Sequence, residues 1–194
     1  MVERFYCQLD YAHIPYPNAL KPGGNIADNG CGVCCAAMLI EGMLGIAFSV
    51  ADCAVFSKRC GAREGFGTDF YILGGALAGR FGLSMRPSND IEEVLSFLNT
   101  NKLGMVVANV RGDREGYVGV FADSGHYVLL EGAKNRELCV IDPMYQPGRY
   151  DKEGRAGKVR MEGYRAYAAA EVLQADCHQR PFFLYWRDEN VSNI

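Results

Sequence analysis

With 194 residues, 49% apolar and 22% charged, the chain is long enough to bury a sizeable core and too apolar to be disordered. Its net charge of -3 gives no electrostatic case for nucleic acid or an anionic membrane as a partner. Its longest apolar run, Cys31 to Ile40, falls well short of the roughly 18 residues of a membrane span.

The opening Met1-Val2-Glu3-Arg4 leads into a polar segment rather than the apolar core of an export signal, so a cytoplasmic protein is expected. On that basis most of the eight cysteines read as reduced thiols. The first 30 residues are rich in Tyr, Pro, Asn and Gly and read as an arm wrapping the domain, because its aromatics would not stay exposed. Gly30 to Leu44 reads as a helix apolar on nearly every side, buried through the centre of a domain. Ser49 with Asp52 opens a second helix that Gly61 closes. A third runs from Thr68 to Phe81 on the spacing of Leu73, Leu77 and Phe81, and a fourth is capped by Asn89.

After Asn101 the pattern changes to short β-branched and aromatic runs. These are Met105–Val110, His126–Glu131, Leu138–Asp142, Tyr164–Ala168 and Phe182–Trp186. Helices followed by strands predict one α+β domain over 1–194, with an arm at 1–30, helices over 31–101 and an antiparallel sheet over 102–194. The glycine-rich, charged stretch of 145–160 reads as a long exposed loop. Arg111 to Tyr117, between two strands, reads as a solvated loop or a wall beside a site, where Asp113 and Glu115 would favour a basic ligand.

Three residues stand out chemically. Cys31 begins the central helix, where unpaired N–H groups and the positive end of the helix dipole favour a thiolate. The flanking Gly30 and Gly32 would let a substrate backbone come close. His126 opens a strongly apolar strand, whereas His13 lies in the arm and His178 in a polar segment. Reading Gly132 to Arg136 as a hairpin loop pairs Glu131 with Glu137 and sets His126 opposite Asp142 on one face. Nucleophile, base and orienter are the parts of acyl transfer by a cysteine. A side-chain amide is the usual second oxyanion donor, and Gln8 is the candidate.

Four motifs occur in order: Tyr6-Cys7-Gln8-Leu9-Asp10, Gly30-Cys31-Gly32, Gly125-His126 before an apolar strand, and Asp142-Pro143 after another. In this the chain resembles the double-glycine, bacteriocin-processing cysteine peptidases, cysteine peptidase family thirty-nine, and their stand-alone relatives. The resemblance implies a papain-like fold with Cys31 as nucleophile, His126 as base, Asp142 as orienter and Gln8 as oxyanion donor. It implies a peptide or amide substrate and no cofactor. Val33-Cys34-Cys35 departs from the small residues usual after the motif, and no transporter segment accompanies the domain. The same site would serve a peptidyl transferase, and a non-catalytic peptide-binding domain is a further reading. Cys31-Gly32-Val33-Cys34, with Cys7 and Cys35, is the alternative as a metal or redox site. The oligomeric state is not legible.

Overall fold

The computed structural model describes residues 1–63 and 65–188. Helices α1 (Ile26–Asn29), α2 (Cys31–Leu44), α3 (Val50–Arg59) and α4 (Phe70–Phe81) come first. Then follow β1 (Ser84–Ser88), α5 (Ile91–Thr100), β2 (Met105–Val110), β3 (His126–Lys134), β4 (Glu137–Ile141), β5 (Val159–Glu162), β6 (Arg165–Ala169), α6 (Ala170–Cys177) and β7 (Phe182–Trp186). The strands form one antiparallel sheet in the order β1-β7-β2-β3-β4-β6-β5. The fold is α+β, as predicted.

Central burial of α2 is complete: every residue from Val33 to Ile40 is inaccessible to solvent. Gly45, left-handed at φ 67°, ends the helix and returns its N–H to Glu41. Ser49 caps α3 by accepting from the Asp52 N–H, as the sequence indicates. At α4 the cap is Asp69, which accepts from Tyr71 and Ile72. At α5 it is Asp90 rather than Asn89, because the extended β1 runs to Ser88 and holds Asn89 outside the first turn.

The helices do not form one layer. Val107, Leu129, Ile141 and Phe183 pack with α2 and α4, while their neighbours Val106, Leu130, Val140 and Leu184 pack with α5 and α6 on the opposite face. Strands buried on both faces lose the alternation that marks a half-exposed sheet, which is why they read as plain apolar runs. Strand β1 escapes sequence reading because Arg86 and Pro87 are poor strand signals; at the sheet edge proline removes no ladder bond.

The stretch over 145–160 is a loop exposed over most of its length, as expected, but it is anchored at two points. Tyr150 and Arg155 are buried, and Arg155 donates to the Gly119 carbonyl at 2.8 Å and pairs with Asp123. Arg111 to Tyr117 is likewise fastened down. Buried Asp176 of α6 accepts from Tyr117 Oη and from the N–H groups of Val120 and Phe121, and Arg114 donates to the Ala175 carbonyl.

The β3–β4 hairpin also differs from expectation. Strand β3 continues to Lys134, and only Asn135 and Arg136 turn, both left-handed at φ 50° and 64°. Lys134 rather than Glu131 therefore faces Glu137, a slide of three residues that by itself would put His126 and Asp142 on opposite faces. A bulge between Leu130 and Gly132 takes back one residue, so Leu129 faces Ile141. Continued one step, this register sets Asp142 level with Val128. His126 is its diagonal neighbour on the same face rather than directly opposite.

Candidate active site

Four strand ends meet at one edge of the sheet: the start of β7, the end of β2, the start of β3 and the end of β4. A cleft of about 670 Å³ opens there, lined among others by Gln8, Asn29, Cys31, Thr68, His126 and Arg180. All the sequence-predicted site residues except Asp142 line it, and Asp142 lies fully buried just behind His126. A cavity of similar size, about 680 Å³, lies over the far end of β3 at Glu131, Cys139 and Arg165. No histidine lines it, and Glu131 and Arg165 pair with one another.

Cys31 is the first residue of α2 and half-buried. Gly30 and Gly32 serve the protein itself more than an approaching substrate. A Cβ at Gly30 would lie 2.5 Å from the Ile26 carbonyl oxygen, where α1 runs into α2. One at Gly32 would press on Thr68 and on the Tyr127 ring at 3.0 and 3.2 Å. The glycines let α1, α2 and β3 converge on the thiol.

His126 Nε2 lies 2.8 Å from Asp142 Oδ1, which leaves Nδ1 for the thiol side. Asp142 is held on every side. Oδ1 also accepts from the Met144 N–H at 2.8 Å, and Oδ2 accepts from Arg149 Nε and Tyr150 Oη, both at 2.7 Å. Burial pushes the Asp142 carboxyl up, but the charge and hydrogen bond of His126, with Arg149 and the Met144 N–H, bring it down to about 2. At His126 burial favours the neutral ring, and Asp142 and Cys31 outweigh it, raising the imidazole to about 9. For Cys31 burial again opposes charge. The His126 charge and contact, with the Tyr127 and Gly32 N–H groups, hold the thiol below its ordinary value. The three shifts favour a thiolate–imidazolium pair backed by a carboxylate.

Arg149 and Tyr150 behind the site, and Asn29 and Arg180 in the cleft, are not among the residues the sequence pointed to. Tyr145 and Tyr150 stand among glycines and charges, and aromatics in such a segment seldom stay exposed.

Gln8 sits in a 3-10 turn, Gln8–Tyr11, tied to the site by its N–H to the Pro143 carbonyl at 2.7 Å. Its Nε2 donates to the Ala27 carbonyl at 2.8 Å, which leaves one N–H on the amide. Gln8 Oε1 and Asn29 Nδ2 are buried beside the cleft without hydrogen-bond partners among the described residues. Unpartnered buried polar atoms are costly and mark positions where a ligand group can complete them.

The neighbouring cysteines take no part. Cys34 and Cys35 are fully buried, and burial first, then nearby thiols, raises both well above the ordinary thiol range. The sequence pattern Cys31-Gly32-Val33-Cys34 therefore joins one activated thiol to one core thiol. Among the described residues no three His, Cys, Asp or Glu side chains gather as a metal would require. No helix among them is long and apolar enough to cross a membrane. The wall beside His126 comes from 122–125; Asp113 and Glu115 do not line the cleft, and Asp113 accepts from the Gly119 N–H of its own loop.

The depressed carboxyl makes a stability prediction. The Asp142 carboxyl, ordinarily near 3.8, is held down to about 2 in the fold, so its contribution is complete above about pH 5 and is lost as pH falls through 2. The linkage amounts to roughly 2–3 kcal/mol. On the alkaline side the two shifts act in opposite directions: the contribution of the raised His126 is lost as pH rises through about 9, whereas that of the lowered Cys31 grows as pH rises toward the ordinary thiol range. Urea unfolding of wild type and Asp142→Asn should show their stability difference shrinking by roughly 2–3 kcal/mol between pH 5.5 and 2. A constant difference would mean that Asp142 is not held ionised.

No protein-family model matches the sequence, and no curated protein matches it. Solved structures do. The peptidase domain of Streptococcus ComA, a bifunctional ABC transporter of a quorum-sensing pathway, superposes with a TM-score of 0.53 at 17% identity, over 81% of this chain and 91% of that one. A Bacillus anthracis protein described as a peptidase like those of cysteine family thirty-nine gives 0.56 at 14% identity, over 83% and 90%. At these identities the likeness carries the fold and leaves the chemistry to the residues. The chain shares its fold with these two peptidase structures.

Proposed function

We propose that the chain is a cysteine peptidase that cleaves a peptide or amide bond through an acyl-enzyme on Cys31. The observation that carries this reading is buried Asp142 holding His126 at 2.8 Å in the same cleft that Cys31 lines at the start of α2.

In this mechanism the Cys31 thiolate attacks the substrate carbonyl carbon and the carbonyl electrons move onto oxygen. The Cys31 N–H, the free N–H of Gln8 Nε2 and the unpartnered Asn29 Nδ2 are the donors available to that oxyanion. His126 gives its Nδ1 proton to the leaving amine as the carbon–nitrogen bond breaks, and a thioester remains. His126 then takes a proton from water, hydroxide adds to the thioester, and collapse releases the acid and restores the pair. Asp142, pinned by Arg149 and Tyr150, keeps the ring oriented and supports its charge throughout.

Limited iodoacetamide labelling, mapped by mass spectrometry across pH, tests the activated thiol. Cys31 should label first at about pH 6, below the roughly 8.5 of a free thiol. Cys60, also half-buried, is the internal comparison. Labelling of Cys31 no faster than Cys60 would remove the basis for a thiolate nucleophile.

A further inference from the structure

The cleft holds a cation that the proposed chemistry does not use. Asp28, Asp123 and Arg149 also line it, but each is matched by an opposite charge: Asp28 by Lys21, Asp123 by Arg155, Arg149 by Asp142. Among the described residues no carboxylate pairs with Arg180. Its Nη1 donates to Asn109 Oδ1 at 3.3 Å and to the Val110 carbonyl at 3.1 Å, while Nε and Nη2 have no protein acceptor there.

Arg180 is placed firmly. The chain turns from α6 into β7 through His178 and Gln179, both left-handed at φ 44° and 70°, a conformation uncommon for residues other than glycine. The Arg180 N–H bonds back to the Cys177 carbonyl, and the Pro181 carbonyl accepts from the Asn109 N–H at 3.1 Å. The guanidinium lies against Gly125, where a Cβ would come within 2.8 Å of Nη1. Glycine beside the base thus lets the cation rest on the backbone next to His126. Across the sheet the cleft runs from Arg180 at β7, past Asn109 and His126, to Met144 beyond β4, so Arg180 and Gln8 stand on opposite sides of the histidine.

We propose that Arg180 is a specificity residue that takes an Asp or Glu side chain of the substrate on the β7 side of the scissile bond. A held, planar guanidinium with free N–H groups matches a carboxylate by charge and by two-point hydrogen bonding. The assignment rests on the peptidase reading, and it reverses the preference for basic ligands that Asp113 and Glu115 would have implied.

The test is a set of internally quenched peptides carrying Glu, Ala or Lys in turn at each of the four positions on either side of the cleaved bond. Wild type should prefer Glu over Lys by about 10- to 100-fold in kcat/KM at one position, a range set by a partly solvated ion pair. Arg180→Glu should invert that ratio. Arg180→Gln, which keeps a donor for the Val110 carbonyl, should bring it within about threefold, as loss of the charge alone predicts. The ratio within each variant does not depend on how much total activity the variant keeps, and circular dichroism reports whether it has folded. A wild type that cuts peptides with no acidic preference, or a preference that survives in Arg180→Gln, overturns this assignment alone. A wild type that cuts no peptide in the set overturns the peptidase reading, and the assignment falls with it.

Discussion

Cys31→Ala is expected to bring peptide turnover to background, a loss of at least about 10⁴-fold, because removing a covalent nucleophile leaves only binding and oxyanion stabilisation. The protein should keep its fold. Cys31 is half-buried at a helix start, and Ala, a better helix former than Cys, leaves the α2 packing from Val33 to Ile40 untouched. Mass spectrometry should show no acyl-enzyme, and rapid alkylation at pH about 6 should vanish while the other cysteines label as before. The informative control is Cys31→Ser, whose hydroxyl is not ionised by this environment and should be nearly as inactive. Turnover in Cys31→Ala within tenfold of wild type would sink the nucleophile assignment, whatever the fold resembles.

His126→Ala should cost about 10³- to 10⁴-fold in kcat, through loss of both the ion pair and the proton donor to the leaving group. Asp142→Ala should cost about 10- to 100-fold less in rate than His126→Ala, because the ring remains and loses only its orientation and charge support. In stability the order reverses. Removing Asp142 leaves Arg149 Nε and Tyr150 Oη without their acceptor and the Met144 N–H unpaired, in a site where the carboxylate is fully buried. Stripping one partner from such a pair costs about 3–5 kcal/mol. Denaturant melts and single-turnover rates on the two variants together separate the roles. Equal rates for Asp142→Ala and wild type would show that the relay does not matter to turnover. Equal stabilities would show that the cage around Asp142 does not matter to the fold.

Much of the site was legible because its parts are local. A cysteine between glycines at the head of an apolar run can be recognised without knowing what packs on it, and so can a histidine at a strand start and an acid before proline. The α+β class followed from the change of periodicity after Asn101. The His126–Asp142 pairing was reached through the wrong register. The three-residue slide of the turn and the one-residue bulge left a net shift of two, and because side chains alternate with period two the pair stayed on one face. Neither the Asn135-Arg136 turn nor the bulge has a distinctive sequence signal, so the agreement owed something to parity.

The sequence by itself determined the central helix, the thiol at its start, the histidine and the acid, since each depends on residue type and near neighbours. Tertiary structure alone decided what surrounds them. Arg149 and Tyr150 come to Asp142 because Arg155 and buried contacts fold the 145–160 stretch inward. Arg180 reaches the cleft because a left-handed turn after α6 delivers it across Gly125, some 55 positions earlier in the chain. Long-range contacts of this kind are selected by shape and charge complementarity between segments. No local pattern of residues encodes them, so they stay invisible until the sheet brings its strand ends together.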